Sequence, residues 1–213
     1  MGWMMCEERT MPGVDSAGAV WRLIKVPKYA EDDRVELSDH FSRSLNLSSQ
    51  YGKRTFILDV TKRRLELKYT MQTRYGAATP LMRLDVNTSH INPAADYHVG
   101  DDDPFSCIHD SCIGRKFDHE PHLHVYRPGF GDRWAYPVAG VFDNTRNMGD
   151  TLLDFLGYCN IQGVAEMQEA LFDNSRRGQG PSGLVLYLAQ ERHRRARCRR
   201  RDGGHNHAHS GPP

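Results

Sequence analysis

No apolar run in this chain approaches the roughly 20 residues that a bilayer-spanning helix needs. Its first residues hold no basic segment followed by a long apolar one. These absences argue against a helical membrane protein and predict a soluble, cytoplasmic one. Cysteine is sparse: Cys6, Cys107, Cys112, Cys159 and Cys198 are odd in number and mostly far apart, which argues against a secreted disulfide scaffold. There is no phosphate-cradling glycine loop, no dinucleotide fingerprint and no serine-centred elbow, so the common nucleotide-binding and serine-hydrolase chemistries find no motif here. Internal repeats are absent as well.

The chain has 213 residues, enough for one domain with a real core plus extensions, although a mean hydropathy of −0.65 leans polar. The net charge of +1 gives no overall pull toward nucleic acid, but the average hides an asymmetry. Residues 191–201 contain seven arginines and one acid, while Asp101-Asp102-Asp103 forms an acidic run. The arginine block, followed by a Gly/His-rich end, has no core-forming residue and reads as a disordered tail that can contact nucleic acid or another anionic surface.

Between these ends the periodicity changes twice. Val20, Leu23 and Ile24 recur at helical spacing after Asp15 or Ser16, either able to cap, and Pro27 ends the helix. Val35, Leu37, Leu45 and Leu47 alternate weakly over 34–48. Stronger strands follow at Thr55–Val60, Leu65–Thr70, Leu81–Val86, His122–Tyr126 and Arg133–Val138, with Thr61–Arg64 and Pro128–Asp132 as tight connections. Residues 94–118, rich in Asp, Gly and Pro, form a long loop. Leu152, Phe155, Leu156 and Cys159 then mark a helix face, capped by Gly149 or Asp150, and weaker helical patterns follow at 164–172 and 184–188. The predicted architecture is α+β: an antiparallel β-meander packed against C-terminal helices, with a short N-terminal helix and a disordered tail. It divides into an N-terminal extension (1–33), a single domain (34–190) and the tail (191–213).

Successive strand residues point to opposite faces, so His122, His124 and Tyr126 should share one face and Leu123 and Val125 the other. The apolar pair suits a core and the polar row a groove that is at least partly open. His90 and Asn92, in Ser89-His90-Ile91-Asn92-Pro93, can approach from the end of an earlier strand. Imidazoles bind metals, exchange protons near neutral pH or grip phosphate, and the spacing alone leaves all three open. In the long loop, Cys107 and Cys112 with His109 and His119 nearby offer a second candidate, tetrahedral zinc ligation, although a single Cys-x4-Cys lacks the usual second pair.

From about residue 54 to 162 the chain resembles an uncharacterised bacterial domain family. The stretches that carry the resemblance are Phe56-Ile57-Leu58-Asp59-Val60, Leu84-Asp85-Val86, His90-Ile91-Asn92-Pro93, His122-Leu123-His124-Val125-Tyr126-Arg127, Gly131-Asp132-Arg133-Trp134-Ala135-Tyr136-Pro137, Leu153-Asp154-Phe155 and Tyr158-Cys159-Asn160-Ile161. It implies a shared sheet-then-helix domain and no particular activity. A weaker similarity is to small bacterial toxins paired with antitoxins, in which the corresponding elements are Asp85, His90, Asn92, His122 and His124.

Three functions are compatible with these residues. The first is a nucleic-acid-directed protein, toxin-like, acting as a metal-independent ribonuclease. His122, His124 and His90 would supply acid and base; Arg83, Arg127 and Arg133 would hold phosphate; Asn92, Tyr126 and Trp134 would contact the substrate. The second is a non-enzymatic interaction protein of a mobile element or defence system, with an antitoxin or another protein as partner. The third is a binding domain stapled by zinc.

Overall fold

The computed structural model describes residues 14–31, 41–63, 68–95, 97–101, 103–138, 141–142 and 145–164. Helix α1 (Ala17–Lys25) begins where Ser16 accepts a hydrogen bond from the Ala19 amide, as its sequence predicts. Among the described residues ten strands follow: β1 (Lys28–Ala30), β2 (Phe41–Ser49), β3 (Thr55–Arg63), β4 (Lys68–Tyr75), β5 (Thr79–Val86), β6 (Ser89–Ile91), β7 (Lys116–Asp118), β8 (His122–Arg127), β9 (Gly131–Pro137) and β10 (Ile161–Gln162). A short helix α2 (Ser106–His109) lies between β6 and β7, and α3 (Met148–Tyr158) between β9 and β10. Among the described residues no helix is long and apolar enough to cross a membrane.

Eight strands make one sheet in the order β10-β1-β2-β3-β4-β5-β8-β9, antiparallel throughout except for the β1–β10 pair. The mixed α+β class and the antiparallel meander therefore match expectation. Residues directly opposite one another share a face, so the register sorts the sheet into rows. Leu45, Leu58, Thr73, Met82, Val125 and Trp134 line up across one face, and Val60, Met71, Leu84, Leu123 and Tyr136 lie beside them. This is the core face. The helices press onto it with Val20, Leu23 and Ile24 from α1 and Leu152, Phe155 and Leu156 from α3. Each fully buried large apolar side chain contributes about 1.5–3 kcal/mol.

The opposite face is polar, again by register. One row reads Ser42, Thr61, Thr70, Asp85, His122, and the next Ser44, Asp59, Gln72, Arg83, His124.

Several local expectations are corrected. Thr61–Arg63 continue β3 and pair with Lys68–Thr70 instead of forming the connection, and the partner strand runs on to Tyr75. The α3 cap is Asn147, whose side chain accepts from the Asp150 amide; its short carboxamide does what Gly149 cannot. Residues 94–118 are not a plain loop, because β7 pairs with β6 as a two-stranded ribbon. The chain enters and leaves that ribbon through Asn87 and His119, both in the left-handed region (φ 58° and 56°), with His119 Nδ1 donating to Asn87 Oδ1 at 3.0 Å. The readings of Val35 and Leu37, of Leu65–Leu67, of helices over 165–172 and 184–188, and of the tail fall outside the described residues.

Candidate metal centre

β5 and β8 pair so that Asp85 stands opposite His122 and Arg83 opposite His124. Period-two alternation puts all four on the polar face, and the β6–β7 ribbon covers them there. The His90 ring stacks over His122 (centroids 5.7 Å) and meets His124 edge-on (4.4 Å), while Phe117 packs on His122 at 4.9 Å. His122 and His124 are consequently buried, at 0% and 1% exposure. The shared face was expected; an open groove was not found. The cover comes from a pairing between residues far apart in the chain.

Each buried imidazole donates from Nδ1 to a backbone carbonyl: His122 to Glu120 and His124 to Asp132, both at 2.8 Å. A neutral ring held this way has its lone pair on Nε2. Both Nε2 atoms look toward the same carboxylate oxygen, Asp85 Oδ2, at 4.0 Å from His122 and 3.3 Å from His124. His122 Nε2 has one long contact, with the Thr88 hydroxyl at 3.5 Å. His124 Nε2 is not aligned to donate to Asp85 and has no hydrogen-bond partner among the described residues. Leaving a buried polar atom unsatisfied costs about 1–3 kcal/mol, a cost that the Thr73 hydroxyl and Trp134 Nε1 also carry among the described residues.

Burial pushes the His122 imidazole below its usual pKa, and the Glu120 carbonyl acts against that shift, so the lone pair is available near neutral pH. Burial alone would raise the Asp85 carboxyl. The imidazole of His124, the Arg83 guanidinium and the Thr70 hydroxyl outweigh it and hold the group ionised, well below the usual carboxylate range. One ligand atom from each of Asp85, His122 and His124 lies within 4.8 Å of the other two. Two imidazole nitrogens and a carboxylate oxygen at that spacing can hold a metal ion.

The remaining candidates divide by what their polar atoms already do. His90 is half-buried, and its Nε2 donates to the Arg133 carbonyl (2.9 Å) and to Asn92 Oδ1 (3.1 Å). Asn92 is buried and saturated. It donates to the carbonyls of Cys112 and Ala135 and accepts from the Ala135 amide, all at 2.8 Å, so its amide pairs with the outer edge of β9 as a neighbouring strand would. Both residues of the His-x-Asn segment thus close the edge of the sheet, and Asn92 has no spare group to offer a substrate.

Arg127, expected to hold phosphate, is fully buried. Its guanidinium pairs with Asp103 (Nη2 to Oδ1, 3.2 Å) and donates to the Tyr136 hydroxyl from Nε (3.2 Å) and Nη2 (2.8 Å). Trp134, expected to stack on a base, is a core residue at 0% exposure. The register shifts between Val125 and Arg127, and Tyr126 is half-buried and packed against the core cluster. Arg83 is held by Asp85 and Asp132, while Arg133 is exposed and donates to the Phe130 carbonyl.

The zinc set expected in the loop does not assemble. His109 spends both nitrogens inside the fold, with Nδ1 accepting a hydrogen bond from the Tyr136 hydroxyl (2.9 Å) and Nε2 donating to the Tyr97 carbonyl (2.5 Å). Cys112 is buried, Cys107 half-buried, and His119 sits at the ribbon's hinge. Among the described residues the metal-sized group is Asp85, His122 and His124 instead. Asp85 is the member of that group that was missed as a candidate site residue. It entered the sequence reading only as part of the toxin-like pattern, and its signal is an acid flanked by Leu84 and Val86 in a strand.

A family model described as a family of unknown function (DUF6978) matches residues 18–161, from α1 through the start of β10. The chain belongs to this family. Comparison with curated proteins and with solved structures gives no match. None of the comparisons shows the likeness to antitoxin-paired toxins. The matched span contains every residue of the Asp85–His122–His124 group and the ribbon that covers it.

Proposed function

We propose that this family member is a metal-binding domain in which Asp85, His122 and His124 hold one divalent transition-metal ion. The observation that carries the reading is the buried Nε2 of His124, without a hydrogen bond and facing the same carboxylate oxygen as Nε2 of His122. A cation between those two nitrogens and that oxygen would satisfy all three atoms at once. The surroundings suit that use. Metal-bound histidines usually donate their other N–H to a carbonyl or carboxylate, and Glu120 and Asp132 receive those bonds here. Thr70 fixes Asp85 Oδ1 at 2.8 Å.

Two nitrogens and one oxygen, without thiolate, suit zinc, iron, cobalt or nickel. A bound ion with three protein ligands would supply a Lewis acid with room for a further ligand. The chain's own residues orient the ligands and shield them from water. The ribonuclease reading requires His122 and His124 to exchange protons with RNA, and their burial beneath the ribbon weighs against it. The metal reading makes use of that burial.

The test is titration of chelator-treated protein with Zn2+ and Co2+, following stoichiometry by calorimetry and the visible bands of Co2+. One ion per chain is expected. Free ion at 100 times Kd should stabilise the fold by about 2.7 kcal/mol. Asp85→Asn and His124→Gln should each weaken binding about 100-fold or more, by analogy with losses on altering metal surroundings. Failure of zinc, cobalt, nickel, manganese and ferrous iron to bind, or variants that bind like wild type, would overturn the proposal.

A further inference from the structure

Asp85 Oδ2 is contested. Arg83 lies two residues before Asp85 on β5, so its side chain shares the polar face, and its Nε donates to Oδ2 at 3.0 Å. That is the same oxygen the two imidazole Nε2 atoms face. The other carboxylate oxygen is already taken by Thr70. An ion held by both histidines and Asp85 must therefore use the oxygen that Arg83 occupies. Arg83 also has a second partner, because its Nη1 reaches the Asp132 carboxylate. The side chains of Arg83 and Asp132 are 26% and 32% exposed, against 11% for Asp85, so the competing pair sits on the solvent side of the group.

We propose that Arg83 is a built-in competitor for the metal ion, setting the affinity of the centre by holding Asp85 Oδ2, with Asp132 as the seat that keeps it when the ion binds. This inference rests on the metal-centre reading above. Without an ion the guanidinium prevents a buried carboxylate from standing uncompensated, and with one it withdraws to Asp132 without losing a charge partner. Asp85, Asp132 and Arg83 sum to −1, which a divalent ion turns to +1. The guanidinium is thus a tuning group, and its removal should strengthen binding. A guanidinium that merely oriented Asp85 would do the reverse.

The experiment is calorimetric titration of metal-free wild type, Arg83→Met, Asp132→Asn and the double variant with Zn2+ and with Co2+, using a competing chelator to bring affinities into range. Arg83→Met should bind about 10-fold tighter or better, a change of the size outer residues usually make but of opposite sign. Asp132→Asn should bind more weakly, since Arg83 then leans wholly on Asp85. The double variant carries the wild-type net charge, and it should still bind more tightly than wild type because the shared oxygen is released.

Arg83→Met binding equally or more weakly would overturn the proposal, as would a double variant that returns to wild-type affinity, the signature of long-range charge alone. Melting curves check that each variant is folded. If Arg83→Met melts early, Arg83→Gln, which keeps a polar tip, takes its place under the same criteria. Wild type that binds neither ion would sink the metal centre itself, a result separate from any difference among the variants.

Discussion

Removing Asp103 should destabilise the fold far more than removing an ordinary surface acid. Its carboxylate, 1% exposed, pairs with the guanidinium of Arg127, which is 0% exposed. It also accepts from Trp21 Nε1 at 3.0 Å and from the Phe105 amide at 2.9 Å, so it ties α1 and the segment before α2 to β8. Asp103→Ala strands a buried guanidinium whose remaining hydrogen-bond partner among the described residues is the Tyr136 hydroxyl. Breaking one partner of a buried ion pair costs about 3–5 kcal/mol. Arg127→Met should cost a similar amount, leaving the carboxylate to Trp21 and Phe105. The double variant Asp103→Ala/Arg127→Met removes both charges and should lose at least about 2 kcal/mol less than the sum of the two, the coupling expected of groups in direct contact.

Acid provides a second readout. Burial alone would raise the Asp103 carboxyl, but the Arg127 guanidinium, the Phe105 amide and Trp21 outweigh it and hold the group below its usual value. A depressed carboxylate contributes stability above its unfolded pKa of about 3.9, and that stability is lost as pH falls through the folded value. Wild type should therefore lose stability more steeply than Asp103→Ala below about pH 4. Urea unfolding followed by tryptophan fluorescence, with chelator present throughout, measures both effects. Single losses that simply add in the double variant, or a cost under about 1 kcal/mol for Asp103→Ala, would refute the reasoning.

Leu156→Ala, on the α3 face that meets the sheet, should cost about 2–5 kcal/mol by urea unfolding, and a loss below 1 kcal/mol would place it outside the core. Lys28 is fully buried, with Nζ donating to the carbonyls of Ile24, Val26 and Cys159; burial, the main cause, lowers its pKa to about 8. Between that value and the unfolded one the unfolded chain binds more protons, so Lys28 should contribute a rise in stability with pH from about 8 to 10.5, by on the order of 2–3 kcal/mol, against the opposite trend of the neighbouring Cys159 thiol, which burial pushes up to about 11. Lys28→Met should flatten that rise, and an unchanged slope in the variant would assign it to another group.

The sheet was legible wherever the alternation was strong, and the misplaced ends have a physical pattern. Thr61, Lys62 and Arg63 look like a turn because they are polar, yet they extend β3 beside a face that is itself polar. The buried Thr73 interrupts the apolar alternation of β4, and the strand continues through it. Arg127 and His109 were assigned to ligands on side-chain type alone. Their partners, Asp103 and Tyr136, lie on other elements, so local spacing could not show that their donors and acceptors were already taken.

The site was half legible for a related reason. The i, i+2 spacing placed His122 and His124 together, but their depth depends on β6 finding β7 across the whole 94–118 segment. The metal set depends in turn on β8 pairing with β5 and not with another strand, since only that register sets Asp85 opposite His122. A strand carboxylate between two apolar residues points away from the core whatever its partner strand. It can act as a ligand only when the paired strand presents an imidazole at the same level. Strand pairing therefore has to be assigned before the chemistry, and the loop cysteines, which needed no pairing to be noticed, drew the zinc assignment away from the sheet.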